Sequence, residues 1–356
     1  MFDDLYQFGL RKYVLEQSEG SDTSADQANS TVRDNDSQRH AADREFDTQL
    51  CVLCSSPHFE TILSEDAKSK NVLSVARCLR CGLIQQNPMP STEELEIYYS
   101  HHYRKDYKSL YQPDPRYVYR AGVVAKKRLE WMSETISTSN RGRLLDVGSG
   151  GGEFVYCAKK MNYESSGIEP NFGYSEFARL NYGVEIQTGM LSGVGNNTYD
   201  VITLFHVLEH MANPTRVVRK LYDLLSENGY LVIEVPNILQ LDASPSNIFF
   251  KAHLTYYSSA TISSLFSSHF DRRYIDSRGN LKMIFQKKSC PSIMQFPSCG
   301  EVRNEKLMFD RKTWLSYLTI GGGWKKIFKN CFRRLAERRV CNSTPKKILD
   351  EILECT

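Results

Sequence analysis

Between residues 143 and 288, strand-length apolar runs alternate with segments whose apolar residues recur at helical spacing. "RLLDVG" reads as a buried strand and "EFVYCAKKM" as a helix, followed by "SSGIEP" as a strand and "SEFARLNY" as a helix. "VEIQTG" and "YDVITLFHV" are strands, "PTRVVRKLYDLL" a helix, "GYLVIEVP" a strand and "TISSLFSS" a helix. A hairpin around Arg278-Gly279-Asn280 closes the series, pairing "RRYID" with "LKMIFQKK". The pattern predicts an α/β fold: a Rossmann-like, seven-stranded, mostly parallel sheet with an antiparallel edge strand and helices on both faces.

The flanks read differently. A short helix over 2–15 precedes a polar stretch from Glu16 to Gln49, which has too little to bury to offset its ordering cost. Ser91-Thr-Glu-Glu94 has the hydroxyl and acid of a helix start. A longer helix over about 115–137 places Val118, Val123, Val124, Leu129 and Trp131 on its apolar side. In the tail, "GWKKIFKNCFRRLAERRV" puts Trp324, Ile327, Phe328, Cys331, Phe332 and Leu335 on one helical face. Five units are expected: 1–49 as short helix and linker, 50–86 as a cysteine module and 87–139 as a helical connector. The α/β domain takes 140–290, and 291–356 forms a basic helical extension.

Charge and composition narrow the class. A net charge of +3 excludes a strong polyanion binder. "MFDDLYQFGLRKYV" puts acids where a secretion signal needs bases, and the longest apolar runs are strand-sized, so no membrane span is expected. A cytoplasmic protein is the expectation. The tail holds 13 Lys or Arg against 7 Asp or Glu, which suits packing on the core, with peripheral membrane contact as an alternative.

Four of the ten cysteines form two C-x-x-C pairs, Cys51/Cys54 and Cys78/Cys81. Two knuckles give a tetrahedral ion two thiolates each, and four thiolates close its coordination. The reading is a structural zinc ribbon, with Gly82 serving the tight turn behind Cys81. His58, His101 and His102 are surplus to a saturated site.

"LLDVGSGGGEF" sets Gly148, Gly150 and Gly152 between a strand and a helix, where backbone amides can approach a ligand. The spacing is G-x-G-x-G rather than the dinucleotide pattern, and no phosphate-cradling G-x-x-x-x-G-K-[ST] occurs. Asp146 ends the first strand, where a carboxylate can meet a cationic group, and Glu169 ends the second, where an acid accepts ribose hydroxyls. An acid for an amino group and another for a ribose fit S-adenosylmethionine better than NAD.

With "GIEP", "YDVITLFHVLEHMANP" and "NGYLVIEVPN", these motifs resemble class I S-adenosylmethionine-dependent methyltransferases over about 143–288. The resemblance implies cofactor binding by Asp146, Gly148, Gly150, Gly152 and Glu169, with Met190 and Leu191 near the adenine. Phe205 and His206 would line the cofactor and acceptor side. No acid follows the third strand to hold the adenine amino group, a departure from many members. "CxxC…CxxCG" before "NPMPSTEELEIYY" resembles the zinc-ribbon front of a bacterial subgroup that includes sugar C-methyltransferases.

That implies methyl transfer to a small or carrier-linked acceptor, such as a sugar, with a histidine base. His206 is the leading candidate and His253 the second, while Tyr98, Tyr99 and Tyr103 are candidates for an aromatic wall. His206, Glu209 and His210 resemble the Glu-x-x-Glu-His metal pattern of quinone-biosynthesis and small-RNA methyltransferases. A second divalent ion there is the minority reading. The rivals are an RNA methyltransferase and a non-catalytic cofactor-binding scaffold. Nucleic acid is not favoured, because Lys68, Lys70, Arg77 and Arg80 are balanced by Glu60, Glu65 and Asp66.

Overall fold

The computed structural model describes residues 50–90, 113–137, 142–324, 333 and 337–354. The expectations for 1–49, the helix start at 91–94, His101, His102, the three tyrosines and most of the tail helix's apolar face lie outside the described residues.

The main sheet grows from strands β4 (Arg143–Val147), β5 (Glu164–Glu169), β6 (Glu185–Thr188), β7 (Tyr199–Phe205) and β8 (Leu225–Val235), completed by β10 (Phe270–Asp276) and β11 (Leu281–Lys287). Its order is β10-β11-β8-β7-β4-β5-β6. Only β11 runs antiparallel to both neighbours, and it lies one place in from the edge rather than at it. Burial explains that departure. β11 buries Leu281, Met283, Ile284 and Phe285, whereas β10 exposes Asp271, Arg272 and Arg273, so the more apolar strand takes the inner place.

Helices α2 (Glu153–Lys160), α3 (Phe172–Tyr182), α4 (Pro214–Leu224) and α5 (Ser259–Phe266) start and stop on local signals. The Asn171 side chain accepts from Tyr174 N, and α3 ends at Gly183 in the left-handed region. Asn213 caps α4 ahead of Pro214, and Ser258 with Thr261 forms a capping box on α5. The connector helix α1 (Pro115–Thr135), capped by Asp114, buries Val118, Leu129, Trp131 and Met132. It also buries Arg128, while Val123 and Val124 are only half-buried.

The cysteine module forms a second sheet from β1 (Phe59–Glu65), β2 (Val72–Cys78) and β3 (Ile84–Gln86). Its fourth strand, β9 (Thr255–Tyr256), comes from the α/β domain, giving the order β1-β2-β3-β9. The expected boundary between 50–86 and 140–290 is therefore bridged by a shared sheet.

The tail packs on both units. Helix α6 (Cys299–Asp310) lies against the module, with Phe309 under the Arg77 guanidinium and Glu305 accepting from Ser258 Oγ at 2.7 Å. A short α7 (Trp314–Leu318) follows, and α8 (Pro345–Glu354) packs on α1 and α2, where Asp350 accepts from Tyr156 Oη at 2.6 Å. Trp324 is exposed. Among the described residues, no helix is long and apolar enough to cross a membrane.

Candidate functional site

The glycine loop leaves the carboxyl end of β4 and enters α2. Gly148, Gly150 and Gly152 have φ of 72°, 53° and 80°, a region that costs any residue with a Cβ. The space in front of Gly150 is open, with only Tyr117 Oη as near as 3.9 Å to where a Cβ would lie. A ligand can approach the backbone there.

Two buried carboxylates flank the loop. Asp146 accepts from Thr203 Oγ1 at 2.6 Å, and burial pushes its carboxyl up to about 7 against the pull of that hydroxyl. Glu169 accepts from Gly150 N and Asn171 N, both at 2.9 Å, so it ties the loop down as well as facing it. Burial raises its carboxyl, opposed by those amides. Gly189 N donates to Glu169 O at 3.0 Å, fixing the turn that carries exposed Met190 and buried Leu191 beside the end of β5. Acids, glycines and apolar turn thus meet at one end of the sheet, and the donor set fits S-adenosylmethionine.

The other half of the cleft lies at the end of β7. Phe205 packs edge-on to Phe154 at 4.8 Å, with the Arg128 guanidinium 3.9 Å above its ring. At His206 the strand turns left-handed (φ 59°) while its N–H still donates to Glu234 O at 2.8 Å. That turn places the imidazole between two carboxylates, Nδ1 3.4 Å from Glu209 Oε1 and Nε2 3.6 Å from Glu234 Oε1. Burial opposes the cation, but Glu209 and Glu234 outweigh it and raise His206 to about 9. Glu234 also accepts from Arg128 Nε at 2.8 Å and Asn280 Nδ2 at 3.0 Å, and Asn280 Nδ2 lies 3.1 Å from His206 Nε2. Burial would raise Glu234, yet Arg128 holds it well below the carboxylate range.

Arg128, Glu234 and Asn280 were missed in the sequence. Arg128 and Glu234 carried a signal, as lone charges inside apolar patterns, the helix face and "LVIEVP".

His253 stands across from Glu209 rather than beside His206. Glu209 and one ring nitrogen each from His210 and His253 lie within 4.8 Å of one another. Glu209 is 1% exposed, and neither of its carboxylate oxygens accepts a hydrogen bond. His210 Nδ1 lies 2.8 Å from Ala252 O, which leaves Nε2 as its ligating atom. The third member of any cation site is thus His253, not His206 as the sequence pattern suggests. An adjoining cleft is lined by Asn237, Gln240, Asn247, Thr255 and Lys312.

In the module, Cys51 and Cys81 Sγ lie 3.6 Å apart and Cys54 and Cys78 Sγ 3.5 Å apart, all four buried. Tetrahedral bonds of about 2.3 Å to zinc need sulfur separations of about 3.8 Å, so these thiols fit one ion with little movement. Gly82 has φ 79°, and its N–H donates to Cys78 O at 2.9 Å, closing the second knuckle. His58 is exposed.

Known proteins match the same part of the chain. Residues 118–269 match the family model described as a methyltransferase domain. The ubiquinone biosynthesis O-methyltransferase of Shewanella halifaxensis is 29% identical over 106 residues, 27% of this chain and 44% of that one. Its counterpart from Bordetella avium is 29% identical over 118 residues, 31% of this chain and 49% of that one. The chain spans about half the length of the curated relatives it matches. A putative S-adenosylmethionine-dependent methyltransferase structure from Listeria monocytogenes aligns with a TM-score of 0.39 at 12% identity, covering 46% of this chain and 100% of that one.

Over residues 118–269 the chain is thus similar to a methyltransferase domain.

Proposed function

We propose that this chain transfers the methyl group of S-adenosylmethionine to a small or carrier-linked acceptor held between the end of β7 and the loop before β9. The observation that carries the reading is the pair of buried carboxylates, Asp146 and Glu169, flanking a loop of three left-handed glycines. When bound, the cofactor supplies an electrophilic methyl on a sulfonium. A hydroxyl acceptor would release one proton on methylation, and His253 is placed to take it.

Asp146 holds the cationic amino group and Glu169 the ribose. Met190 and Leu191 cover the adenine, without an acid for its amino group. On the acceptor side both ring nitrogens of His206 are engaged by Glu209, Glu234 and Asn280, so His206 serves as a fixed cation rather than a free base. His253, which burial and the neighbouring His210 push down to about 3 and so keep neutral, faces Glu209 and takes the proton-handling place. The amides of Gln240 and Asn247 suit a polyhydroxylated acceptor, and the ribbon-bearing front resembles that of sugar methyltransferases. The relatives named as O-methyltransferases of ubiquinone biosynthesis make a hydroxyl oxygen the competing acceptor. Zinc on the four cysteines is structural, since four thiolates leave no open position.

Incubation with methyl-labelled cofactor and fractionated cell extract tests this. Label is expected in a saccharide or lipid-linked fraction. Label in RNA would replace the acceptor assignment, and cofactor binding with no labelled fraction would leave a scaffold.

A divalent ion on Glu209, His210 and His253 is a second reading, favoured by the buried Glu209 carboxylate, which meets His206 as an ion pair but accepts no hydrogen bond. It would orient and acidify an acceptor hydroxyl. Metal analysis after exposure to Mn²⁺ or Zn²⁺ should give two ions per chain, falling to one in Glu209→Gln. One ion in the parent chain ends this reading.

A further inference from the structure

Strand β3 is only "IQQ", it is wholly buried, and its two glutamines face opposite ways, as successive strand residues must. Gln85 turns to the first cysteine knuckle, where its Oε1 accepts from Val52 N at 3.0 Å. Gln86 turns to the loop before β9, and its Nε2 donates to Lys251 O and His253 O, both at 2.8 Å. Both protons of one amide are spent on carbonyls two residues apart, which pins the turn between them.

The backbone adds to this clasp. Gln86 N donates to Leu254 O at 2.9 Å, Ile84 and Gln85 pair with Tyr256 and Thr255, and Ala67 N donates to Phe249 O at 2.8 Å. Asp66, buried, accepts from Lys251 N at 2.7 Å. From the methyltransferase side, the same loop is met by Glu209 O, which accepts from Leu254 N at 2.7 Å, and by His210 at Ala252 O. The loop that carries His253 is thus clamped between the cysteine module and the turn at Leu208–His210.

We propose that the cysteine module backs the acceptor site from behind the His253 loop, and that Gln86 is a positioning residue whose amide sets His253 against Glu209. Gln85 and Gln86 together link knuckle to loop, so an ion on the four cysteines tightens the acceptor side and leaves the cofactor side alone. The assignment of sides rests on the function proposed above, but the experiment does not use activity.

Gln86→Leu keeps the bulk and removes both donors. Hydrogen exchange by mass spectrometry should show residues 249–257 exchanging about 10-fold faster or more, the usual scale for buried carbonyls left unpaired. Residues 146–152 should be unchanged, and S-adenosylhomocysteine affinity by calorimetry should stay within about 2-fold. The His253 ring resonance, assigned by its loss in His253→Gln, should move, while that of His269 stays. Chelation of the unaltered full chain should speed exchange in 249–257 along with 51–86, again sparing 146–152. If Gln86→Leu fails to fold, Gln86→Glu removes the same donors in the same shape. Unchanged exchange at 249–257 together with an unmoved His253 signal overturns the proposal. Loss of S-adenosylhomocysteine binding by the unaltered chain would instead sink the methyltransferase reading.

Discussion

The two sides of the cleft are built in opposite ways. The proposed cofactor side comes from one stretch, residues 146–191, in which Asp146 and Glu169 lie at strand ends and Gly148, Gly150 and Gly152 form the turn into α2. The acceptor side is gathered from α1, the end of β7, β8, the hairpin turn and the loop before β9, with β3 behind it. A site made from contiguous chain is held by backbone geometry. A site gathered from distant segments is held by charge pairs and by a neighbouring module, and should fail in larger and less local ways.

Arg128→Met should expose that difference most strongly. It leaves Glu234 buried beside one remaining cation, His206, at a cost of about 3–5 kcal/mol in denaturant unfolding. Replacing Glu234 with Leu as well should recover much of the loss, and a cost under about 1 kcal/mol would show that the network is not what holds this side. Asp146→Ala and Glu169→Ala come next. Each should weaken S-adenosylhomocysteine binding on the order of 10- to 100-fold by calorimetry, whereas His253→Gln should leave it within about 2-fold. Equal effects from all three would merge the two sides.

The pH dependence is a finer separator. Burial pushes the Asp146 carboxyl up to about 7, and in the proposed site the cofactor's amino group needs the carboxylate. Affinity should therefore climb up to about tenfold per unit as pH rises toward 7 and level off above it, with the slope abolished in Asp146→Asn. A flat profile in the unaltered chain would mean that Asp146 is already ionised. Met190→Ala should cost least, about 1 kcal/mol or less of cofactor affinity, because this side chain is half exposed.

This contrast also explains what could be read in the sequence. Glycines with left-handed φ, acids at strand ends and paired cysteine knuckles are demands of local backbone and metal chemistry, so they leave short-range marks. Arg128 and Glu234 are 106 residues apart, and Asn280 and His206 are 74 apart, so their convergence belongs to the packed fold. The shared sheet was hidden because β3 and β9 have three and two residues, too few to display a strand period. The inner place of β11 was legible in "LKMIFQK" against "FDRRYID", where the charges mark the outer strand. The pairing of His206 with Glu234 is not legible in the sequence, because the two are far apart along the chain.

The left-handed turn at His206 has a further consequence for how this position tolerates change. A residue with a Cβ costs about 1 kcal/mol or more there, and glycine and asparagine pay least. A saturation library at 206 screened for heat resistance alone should therefore favour glycine and asparagine among neutral replacements. The same library screened for turnover should return histidine, with the backbone angle as the toll on keeping an imidazole in that place.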